Sequence, residues 1–322
     1  MAARNSGRVV SFNAGHRMSI TEETVAAPGE RQLLVQMKAC GICQYDIKSY
    51  KDPGFNPVYS ARPGHEGVGI VHAVGKRVEG LKPGDKVTSN AFGGSFSDYF
   101  IAEIDTVVKI PDEVERYELW ISEPAACVVN SLRFLGIEPG DDVVLIGSGY
   151  MGLLFIQSLP MEFINNFVVI DIDDDRLALA EGLGAVRTIN SLRVDAVEAV
   201  RDILGGAAGL VIETVGLPGV LGQATDMLRN GGRLCIFGHH VQDEVLPTGE
   251  WHMKGLHILN TTPFTSVNFH RDLEDAVKLI RKKVFDQSAL VSRTYRFEDI
   301  ETGMEEVSHR PSRLIKTALV NY

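Results

Sequence analysis

The sequence lacks several features that mark whole classes of proteins. It has only four cysteines among 322 residues, which is too few for the disulfide framework of a small secreted domain. The polar stretch 1–15 lacks the apolar core of a signal peptide, and no later segment approaches the ~18 apolar residues of a membrane span. No lysine- and arginine-rich block occurs, and 32 basic against 42 acidic residues leave a net charge of −10. We therefore expect a soluble, cytoplasmic protein with no nucleic-acid or membrane partner.

The composition is that of an ordinary globular protein, with 44% hydrophobic and 23% charged residues. The length of 322 residues predicts two domains. Up to about residue 118, short β segments alternate with Pro-Gly and Gly-Gly turns. From about residue 125, short apolar runs such as Val143–Ile146 and Val168–Ile170 alternate with helical stretches. This alternation is typical of a parallel α/β sheet with helices on both faces. Two amphipathic helices and a last strand follow after about residue 265.

A glycine-rich turn follows the first of these parallel strands. Gly147-Ser-Gly149-Tyr150-Met151-Gly152 comes directly after an apolar run and opens a helix, which is the context that makes this pattern informative. Gly147 would permit the tight turn, Gly149 the close approach of a pyrophosphate, and Gly152 the packing of helix on strand. The free N–H groups at the helix N-terminus favour a phosphate there. The segment therefore predicts a dinucleotide-binding turn.

An acidic residue, Asp171, ends the next strand, 19 residues after Gly152 (171 − 152). A carboxylate at this spacing accepts hydrogen bonds from the adenosine ribose, and its charge would repel a 2′-phosphate. This favours NAD over NADP. Arg176 could hydrogen-bond the ribose as well, whereas the carboxylates at 173–175 are typical of a helix start.

Three potential metal ligands lie in the β-rich part of the chain, namely Cys43, His65 and Glu66. Thiolate, imidazole and carboxylate all bind zinc, and a catalytic zinc takes three protein ligands and keeps one open position. Cys40 and Cys43 also form a CxxC pattern, which redox pairs share. No thioredoxin-like context surrounds it, so we interpret Cys40 as a packed thiol.

Together these motifs resemble the zinc-dependent medium-chain dehydrogenases/reductases of the alcohol dehydrogenase superfamily. The resemblance runs from about residue 8 to 320. It rests on Ala39-Cys-Gly-Ile-Cys43-x-x-Asp46, on Gly64-His65-Glu66 with Gly69, Gly75 and Val78, on the glycine turn with Asp171, and on Glu213-Thr-Val-Gly216 and Gly231-Gly-Arg-Leu. It implies a GroES-like catalytic domain, 1–124 and 266–322, with a Rossmann domain of doubly wound parallel sheet, 125–265, inserted into it.

The resemblance also implies roles for single residues. Cys43 and His65 would be zinc ligands, and Asp46 would hydrogen-bond a ligand. Glu66 matches a glutamate that ligates zinc directly in the polyol branch and approaches it transiently elsewhere. Glu123 occupies the position of a third ligand, which alcohol dehydrogenases fill with cysteine and the sorbitol and threonine dehydrogenase branch with glutamate. A first-turn acidic residue of the following helix is the alternative for Glu123.

Three departures from the family pattern are informative. The chain lacks the lobe with four closely spaced cysteines that holds a structural zinc, so we expect one catalytic zinc per chain. Tyr45 stands where the family usually relays the substrate proton through serine or threonine. Lys48 stands where the solvent end of that relay is often histidine. Tyr45, Lys48 and Glu66 are therefore the candidate catalytic residues.

The implied reaction is hydride transfer between NAD and a secondary alcohol such as a polyol or sugar. One alternative is a zinc-free quinone or enoyl reductase that uses NADPH, and another is a nucleotide-binding protein without turnover. A homodimer or homotetramer is expected by analogy alone. His239 and His240 follow Gly238 at the carboxyl end of a strand, either near the nicotinamide or as an ordinary loop pair.

Overall fold

The computed structural model describes residues 6–185, 187–309 and 313–322. Within it the chain divides into two compact units. Met1–Ala126 and Leu273–Tyr322 form the first unit, and Cys127–Asp272 form the second. The second unit is therefore an insertion, in sequence, into the first.

Strands and helices are numbered here along the chain. The strands are β1 (Ser6–Asn13), β2 (Arg17–Thr24), β3 (Gln32–Ile42), β4 (Glu66–Val74), β5 (Lys86–Ser89), β6 (Tyr99–Glu103), β7 (Val107–Lys109), β8 (Asp141–Ile146), β9 (Ile164–Asp171), β10 (Arg187–Asn190), β11 (Ala208–Glu213), β12 (Leu228–Ile236), β13 (His257–Asn260), β14 (Val291–Arg296) and β15 (Lys316–Val320). The α-helices are α1 (Gln44–Lys51), α2 (Pro57–Ala61), α3 (Glu123–Leu135), α4 (Tyr150–Ser158), α5 (Asp174–Gly182), α6 (Ala196–Leu204), α7 (Val220–Met227), α8 (Thr248–Lys254), α9 (Phe269–Arg281) and α10 (Ile300–Ser308).

The first unit is built on a seven-stranded sheet in the order β14-β15-β3-β4-β5-β7, with β6 also pairing with β3. Strand β3 is central, because it pairs with β15, β4 and β6. Its side chains are therefore buried along most of its length, and Leu33, Val35 and Met37 belong to the main core of the unit. The separate hairpin of β1 and β2 contributes Val10 and Phe12 to the same core.

The pairing register brings the ends of three strands to one edge of this sheet. Gly41 near the end of β3 lies opposite Glu66 at the start of β4. Ile42 lies opposite Thr317, next to Lys316 at the start of β15. Residues directly after β3 and directly before β4 are therefore close in space although they are about twenty positions apart in the chain. This edge carries Cys43 and His65.

The second unit contains a six-stranded parallel sheet in the order β10-β9-β8-β11-β12-β13. Counted along the unit this is the 3-2-1-4-5-6 order of doubly wound dinucleotide-binding folds. Every residue of β11 is buried, as expected of a parallel strand that is covered on both faces. The predicted fold class, a β-rich domain with an inserted parallel α/β domain, is confirmed.

In the described part of the chain, no helix combines the length and the hydrophobicity that crossing a membrane requires.

Candidate metal and cofactor sites

Cys43 is the N-cap residue of α1. Its Sγ accepts a hydrogen bond from the backbone N–H of Tyr45 at 3.1 Å, and its own N–H donates to Asp46 Oδ2 at 2.9 Å. Burial raises the pKa of the Cys43 thiol well above its ordinary value, and the charges of Asp46 and Glu66 raise it further. A cation bound beside Sγ would reverse this effect, because it favours the thiolate.

His65 lies across from this thiol, with its Nε2 atom 3.7 Å from Cys43 Sγ. Its other ring nitrogen, Nδ1, is 2.7 Å from the hydroxyl of Tyr59, and that hydroxyl donates to Asp46 Oδ1 at 2.5 Å. Because Tyr59 gives its proton to Asp46, it can only accept from the ring. The proton of His65 therefore belongs on Nδ1, which leaves the lone pair of Nε2 facing the thiol.

The spacing of these two atoms fits a shared zinc ion. Bonds of ~2.3 Å from sulfur and ~2.05 Å from nitrogen, at a tetrahedral angle, place two ligand atoms about 3.6 Å apart. The separation between Cys43 Sγ and His65 Nε2 is 3.7 Å. The ligand atoms of Cys43, Asp46 and His65 all lie within 4.8 Å of one another.

Two further carboxylates lie near His65. Ligand atoms of His65, Glu66 and Glu123 lie within 4.8 Å of one another. The Glu66 carboxylate also forms an ion pair with the ammonium group of Lys316, and the two side chains are only 2% and 3% exposed. Lys316 in addition donates to the carbonyl oxygen of Ile42 at 3.3 Å. Glu66 is therefore neutralised by a buried cation, whereas Glu123 begins α3.

Aromatic side chains line the same region. The ring of Tyr45 contacts those of Phe55, Tyr59 and Phe92, with centroid separations of 5.2, 4.8 and 6.2 Å. Asn56 accepts the N–H of Tyr59 at 3.1 Å as the N-cap of α2, so its amide nitrogen donates to Tyr45 Oη at 2.8 Å.

Lys48 does not extend this hydrogen-bonded chain by any contact among the described residues. Its ammonium group lies over the ring of Phe55, 4.2 Å from the centroid. Tyr45 packs against the same ring. The two candidate relay residues therefore share one aromatic neighbour, and Lys48 remains a cation close to Tyr45.

In the second unit, the glycine turn has the predicted geometry. Gly147 has φ +99°, and a Cβ there would lie 2.5 Å from Thr214 Oγ1. A Cβ on Gly152 would overlap the carbonyl oxygen of Gly147, whereas one on Gly149 would meet no atom within 4 Å. Helix α4 begins directly after Gly149, with no side chain capping its N–H groups, and Tyr150 and Met151 form its first turn. The turn thus offers an open backbone surface to an anion.

Asp171 ends β9 and is almost buried. Its Oδ2 accepts from the N–H and hydroxyl of Ser148 at 2.7 and 3.0 Å. Its Oδ1 accepts from the N–H groups of Ile172 and Asp173 at 2.8 and 3.1 Å. The carboxylate therefore positions the glycine turn itself, and its contact with a ribose stays a prediction. Nearby, the buried Nε of Arg176 has no hydrogen-bond partner among the described residues.

Comparison with known proteins identifies the family. Residues 29–112 match the model of the alcohol dehydrogenase GroES-like domain, and residues 151–282 match that of the zinc-binding dehydrogenases. An alcohol dehydrogenase of Moraxella sp. (strain TAE123) is 31% identical over 271 residues, which cover 74% of this chain and 76% of the relative. The chain belongs to the zinc-type medium-chain dehydrogenases. The predicted family is confirmed, and this dehydrogenase is an oxidoreductase of CH–OH groups.

Other relatives span nearly the whole chain. The sorbitol dehydrogenase of Bacillus subtilis (strain 168) is 24% identical over 335 residues, covering 91% of this dehydrogenase and 92% of the relative. The crystal structure of 2R,3R-butanediol dehydrogenase from Bacillus subtilis superposes with a TM-score of 0.84 at 21% identity, covering 98% of this chain and 100% of that one. The second comparison establishes the shared fold.

Sequence analysis of this dehydrogenase missed Tyr59, Asn56 and Lys316. A signal for α2 was present, since Asn56 before Pro57 is a typical N-cap followed by proline at the first helical position. That pattern could have predicted the helix that carries Tyr59. Lys316 had no local signal, because only the pairing of β15 with β3 brings it near Glu66.

We expect Tyr59→Phe to weaken zinc binding by about 10- to 100-fold, because partners of a ligating histidine typically contribute that much. The phenyl ring would keep the packing of Tyr59 but would leave Nδ1 of His65 and Asp46 Oδ1 without their shared hydroxyl. Zinc affinity can be measured by competition with a chromogenic chelator.

Tyr50→Phe is the matched control for this substitution. Tyr50 is equally buried, and its hydroxyl donates to the carbonyl of His16 at 2.7 Å, away from the ligands. Tyr50→Phe should lose about 1 kcal/mol of unfolding free energy with its hydrogen bond, and Tyr59→Phe should lose more, because its hydroxyl contacts Asp46, His65 and the N–H of Gly64. Equal zinc affinity in the two variants would contradict the role of Tyr59.

Proposed function

We propose that this protein is a zinc-dependent dehydrogenase that interconverts a secondary alcohol, of the polyol type or a related hydroxyl compound, and its ketone with NAD. The observation that carries the proposal is the arrangement at one sheet edge of Cys43 Sγ and His65 Nε2, 3.7 Å apart, with carboxylates close to the same imidazole. A thiolate, an imidazole and one carboxylate would leave the open position that a catalytic zinc requires.

Among the carboxylates, we propose Glu123 as the third ligand and Glu66 as a neighbour of the metal. Glu66 is held by Lys316, and displacing it would leave a buried ammonium group without its counterion. Glu123 lies in the same cluster with His65. Asp46 already accepts from the N–H of Cys43, the N–H of Gly64 and the hydroxyl of Tyr59, so its hydrogen bonds support a positioning role.

When bound, zinc supplies polarisation of the substrate oxygen and NAD supplies the hydride acceptor. Residues of the chain would transfer the proton of the substrate hydroxyl. Asn56 donates to Tyr45 Oη, so the Tyr45 hydroxyl can use its own proton toward the substrate oxygen while accepting from the amide. We propose that Tyr45 donates its hydroxyl proton to the substrate oxygen when the ketone is reduced, and that in alcohol oxidation a deprotonated Tyr45 takes up the proton that the substrate hydroxyl releases, with Lys48 as the neighbouring cation. The rings of Phe55 and Phe92 would narrow the substrate pocket and exclude water.

The preference for NAD rests on charge at the end of β9. Asp171 and the carboxylates at 173–175 surround the place where the adenosine ribose would bind. A 2′-phosphate would add two negative charges there. Arg176, half-buried in the first turn of α5, supplies a guanidinium group that could donate to a ribose hydroxyl. Ile172 after β9 and Val215 after β11 expose apolar side chains at the same carboxyl edge of the sheet, which suits the faces of an adenine ring.

We also propose that the protein forms a homodimer or homotetramer. Strand β13 lies at the end of the six-stranded sheet and pairs with β12 on one side. An edge strand offers its second row of backbone N–H and C=O groups to another chain. Light scattering coupled to size exclusion would test this, and a monomer at micromolar concentration would contradict it.

The two alternative functions differ in observable ways. A zinc-free quinone or enoyl reductase would bind no zinc and would prefer NADPH. The geometry of Cys43 and His65 and the acidic residues near Asp171 argue against it. A nucleotide-binding protein without turnover would bind NAD and zinc but would oxidise nothing.

The test measures the oxidation of a panel of polyols, sugars, amino alcohols and simple secondary alcohols. The reaction is followed by the absorbance of reduced nicotinamide at 340 nm. Each substrate is run with NAD and with NADP, with and without a zinc chelator, on protein of known zinc content. We expect chelator-sensitive reduction of NAD with one group of substrates. Turnover that requires NADP instead of NAD, or that survives complete zinc removal, would overturn the proposal, and so would protein that holds no zinc.

A further inference from the structure

A buried charged cluster lies outside the residues that sequence analysis assigned to the sites. It begins at Glu213, the last residue of β11, whose side chain is completely buried. Its Oε1 accepts from the N–H groups of Val215 and Gly216 at 2.5 and 2.7 Å. Its Oε2 is 2.9 Å from Nε2 of His240, which belongs to the loop after β12. One carboxylate thus joins the loops that follow two adjacent strands.

His240 continues the cluster to a second carboxylate. Its Nδ1 lies 3.4 Å from Glu244 Oε1, and Glu244 Oε2 accepts from the N–H of Gly219 at 2.8 Å, just before α7. The ring of His240 thus lies between the two carboxylates, with one nitrogen near each. The Glu213–His240–Glu244 cluster therefore ties residues 215–219 to residues 240–244 in two places, through Glu213 to His240 and through Glu244 to Gly219.

The two loops also touch through their backbones. Gly216 has φ +70°, and a Cβ there would lie 2.8 Å from the backbone of His239. A Cβ on Gly238 would overlap the backbone N of Gly216. There is no room for side chains between the loops, so a shift of one loop must displace the other.

The first of these loops in turn contacts the glycine turn. Thr214 Oγ1 donates to the carbonyl oxygen of Ile146 at 2.9 Å, and it also lies 3.2 Å from that of Gly147. Three loops are therefore joined in series along the carboxyl edge of β8, β11 and β12. In doubly wound sheets, ligands bind at this edge, where the strand order reverses. With adenosine at the end of β9 and pyrophosphate at the glycine turn, the next loops along this edge face the nicotinamide half.

We propose that His240 is a positioning residue for the nicotinamide half of the cofactor, acting through the Glu213–His240–Glu244 cluster. The inference rests on the proposed function in assuming a nicotinamide dinucleotide. Two carboxylates and an imidazole buried together stabilise a fold poorly, because their loss of hydration offsets most of their attraction. Such a cluster instead holds the polar loops in one conformation at the edge of the sheet where a ligand binds.

The experiment compares binding of NADH and of AMP to the full-length protein, by fluorescence and calorimetry at 25 °C. Since a misplacement of about 1 Å can cost up to ~100-fold in function, we expect His240→Ala to weaken NADH binding by about 10-fold or more. AMP occupies the adenosine half alone and should bind as in the wild type. His240→Gln should be intermediate, because its amide can donate to Glu213 but cannot place a second nitrogen beside Glu244 as the imidazole ring does.

His252→Ala is the control, since His252 is exposed on α8, outside the cluster. If His240→Ala does not fold, Glu244→Gln is used in the same comparison of NADH and AMP binding. Its amide oxygen can still accept from the N–H of Gly219, while the charge is lost. Unchanged NADH affinity in the folded variants, or an equal loss of AMP and NADH binding, would overturn the role of His240 alone. Wild-type protein that binds no nicotinamide dinucleotide would overturn this inference together with the proposed cofactor.

Discussion

Replacing Cys43 by alanine is expected to remove zinc and turnover together. The thiolate is the softest ligand of the proposed site, and its Sγ lies 3.7 Å from His65 Nε2. Loss of a Lewis acid that contributes several kcal/mol to the transition state corresponds to at least about a 1,000-fold fall in kcat/KM. Zinc content is measured by mass spectrometry, and turnover with the best substrate of the panel.

Cys40→Ala is a matched control for this prediction, because the two cysteines are three positions apart. Cys40 is completely buried in the core of the first unit, and burial raises the pKa of its thiol. Its removal should cost stability through a small cavity but should leave zinc content near one ion per chain. If Cys40→Ala lost zinc while Cys43→Ala kept it, the assignment of the ligand would be wrong.

Lys316→Met is expected to cost about 3–5 kcal/mol of unfolding free energy, because it leaves the Glu66 carboxylate buried without its counterion. The double variant Lys316→Met with Glu66→Gln should recover most of this loss, since it removes both charges. Urea unfolding of the zinc-free proteins isolates the ion pair from any effect of the metal on stability.

Arg31→Met provides the comparison with an exposed ion pair. Arg31 pairs with Asp105 at 2.8 Å, but these side chains are 55% and 75% exposed. Its loss should change stability by less than about 1 kcal/mol. Equal small losses of unfolding free energy in Lys316→Met and Arg31→Met would show that Lys316 does not hold the Glu66 carboxylate in place. The same result would remove the reason for preferring Glu123 over Glu66 as third ligand.

Local sequence signals predicted the geometry of the glycine turn almost residue by residue. Gly147, Gly149 and Gly152 each have the spacing and surroundings that the pattern requires, because a tight turn and a close helix contact are decided within a few residues. The helix-start interpretation of Asp173 is also confirmed, since its carboxylate accepts from the N–H groups of Asp175 and Arg176. Asp171 carries an additional structural task that spacing did not indicate, the support of Ser148.

The partners of the ligands could not be predicted in this way. Tyr59 reaches His65 and Asp46 only because α2 packs beside α1, and Lys316 reaches Glu66 only through a strand 250 positions later in the chain. From the sequence, His240 fits either a nicotinamide role or an ordinary loop pair. Its pairing with Glu213 depends on the order of β11 and β12 in the sheet.

The sequence by itself determined the family, the parallel sheet, the glycine turn and the identity of Cys43 and His65 as candidate ligands, because each depends on residue type at short spacing. Only the tertiary structure decided which carboxylate is held by a cation, which nitrogen of His65 faces the thiol, and which loops are tied together. Those properties depend on hydrogen bonds and ion pairs between segments far apart in the chain, whose energies appear only when burial brings the partners together.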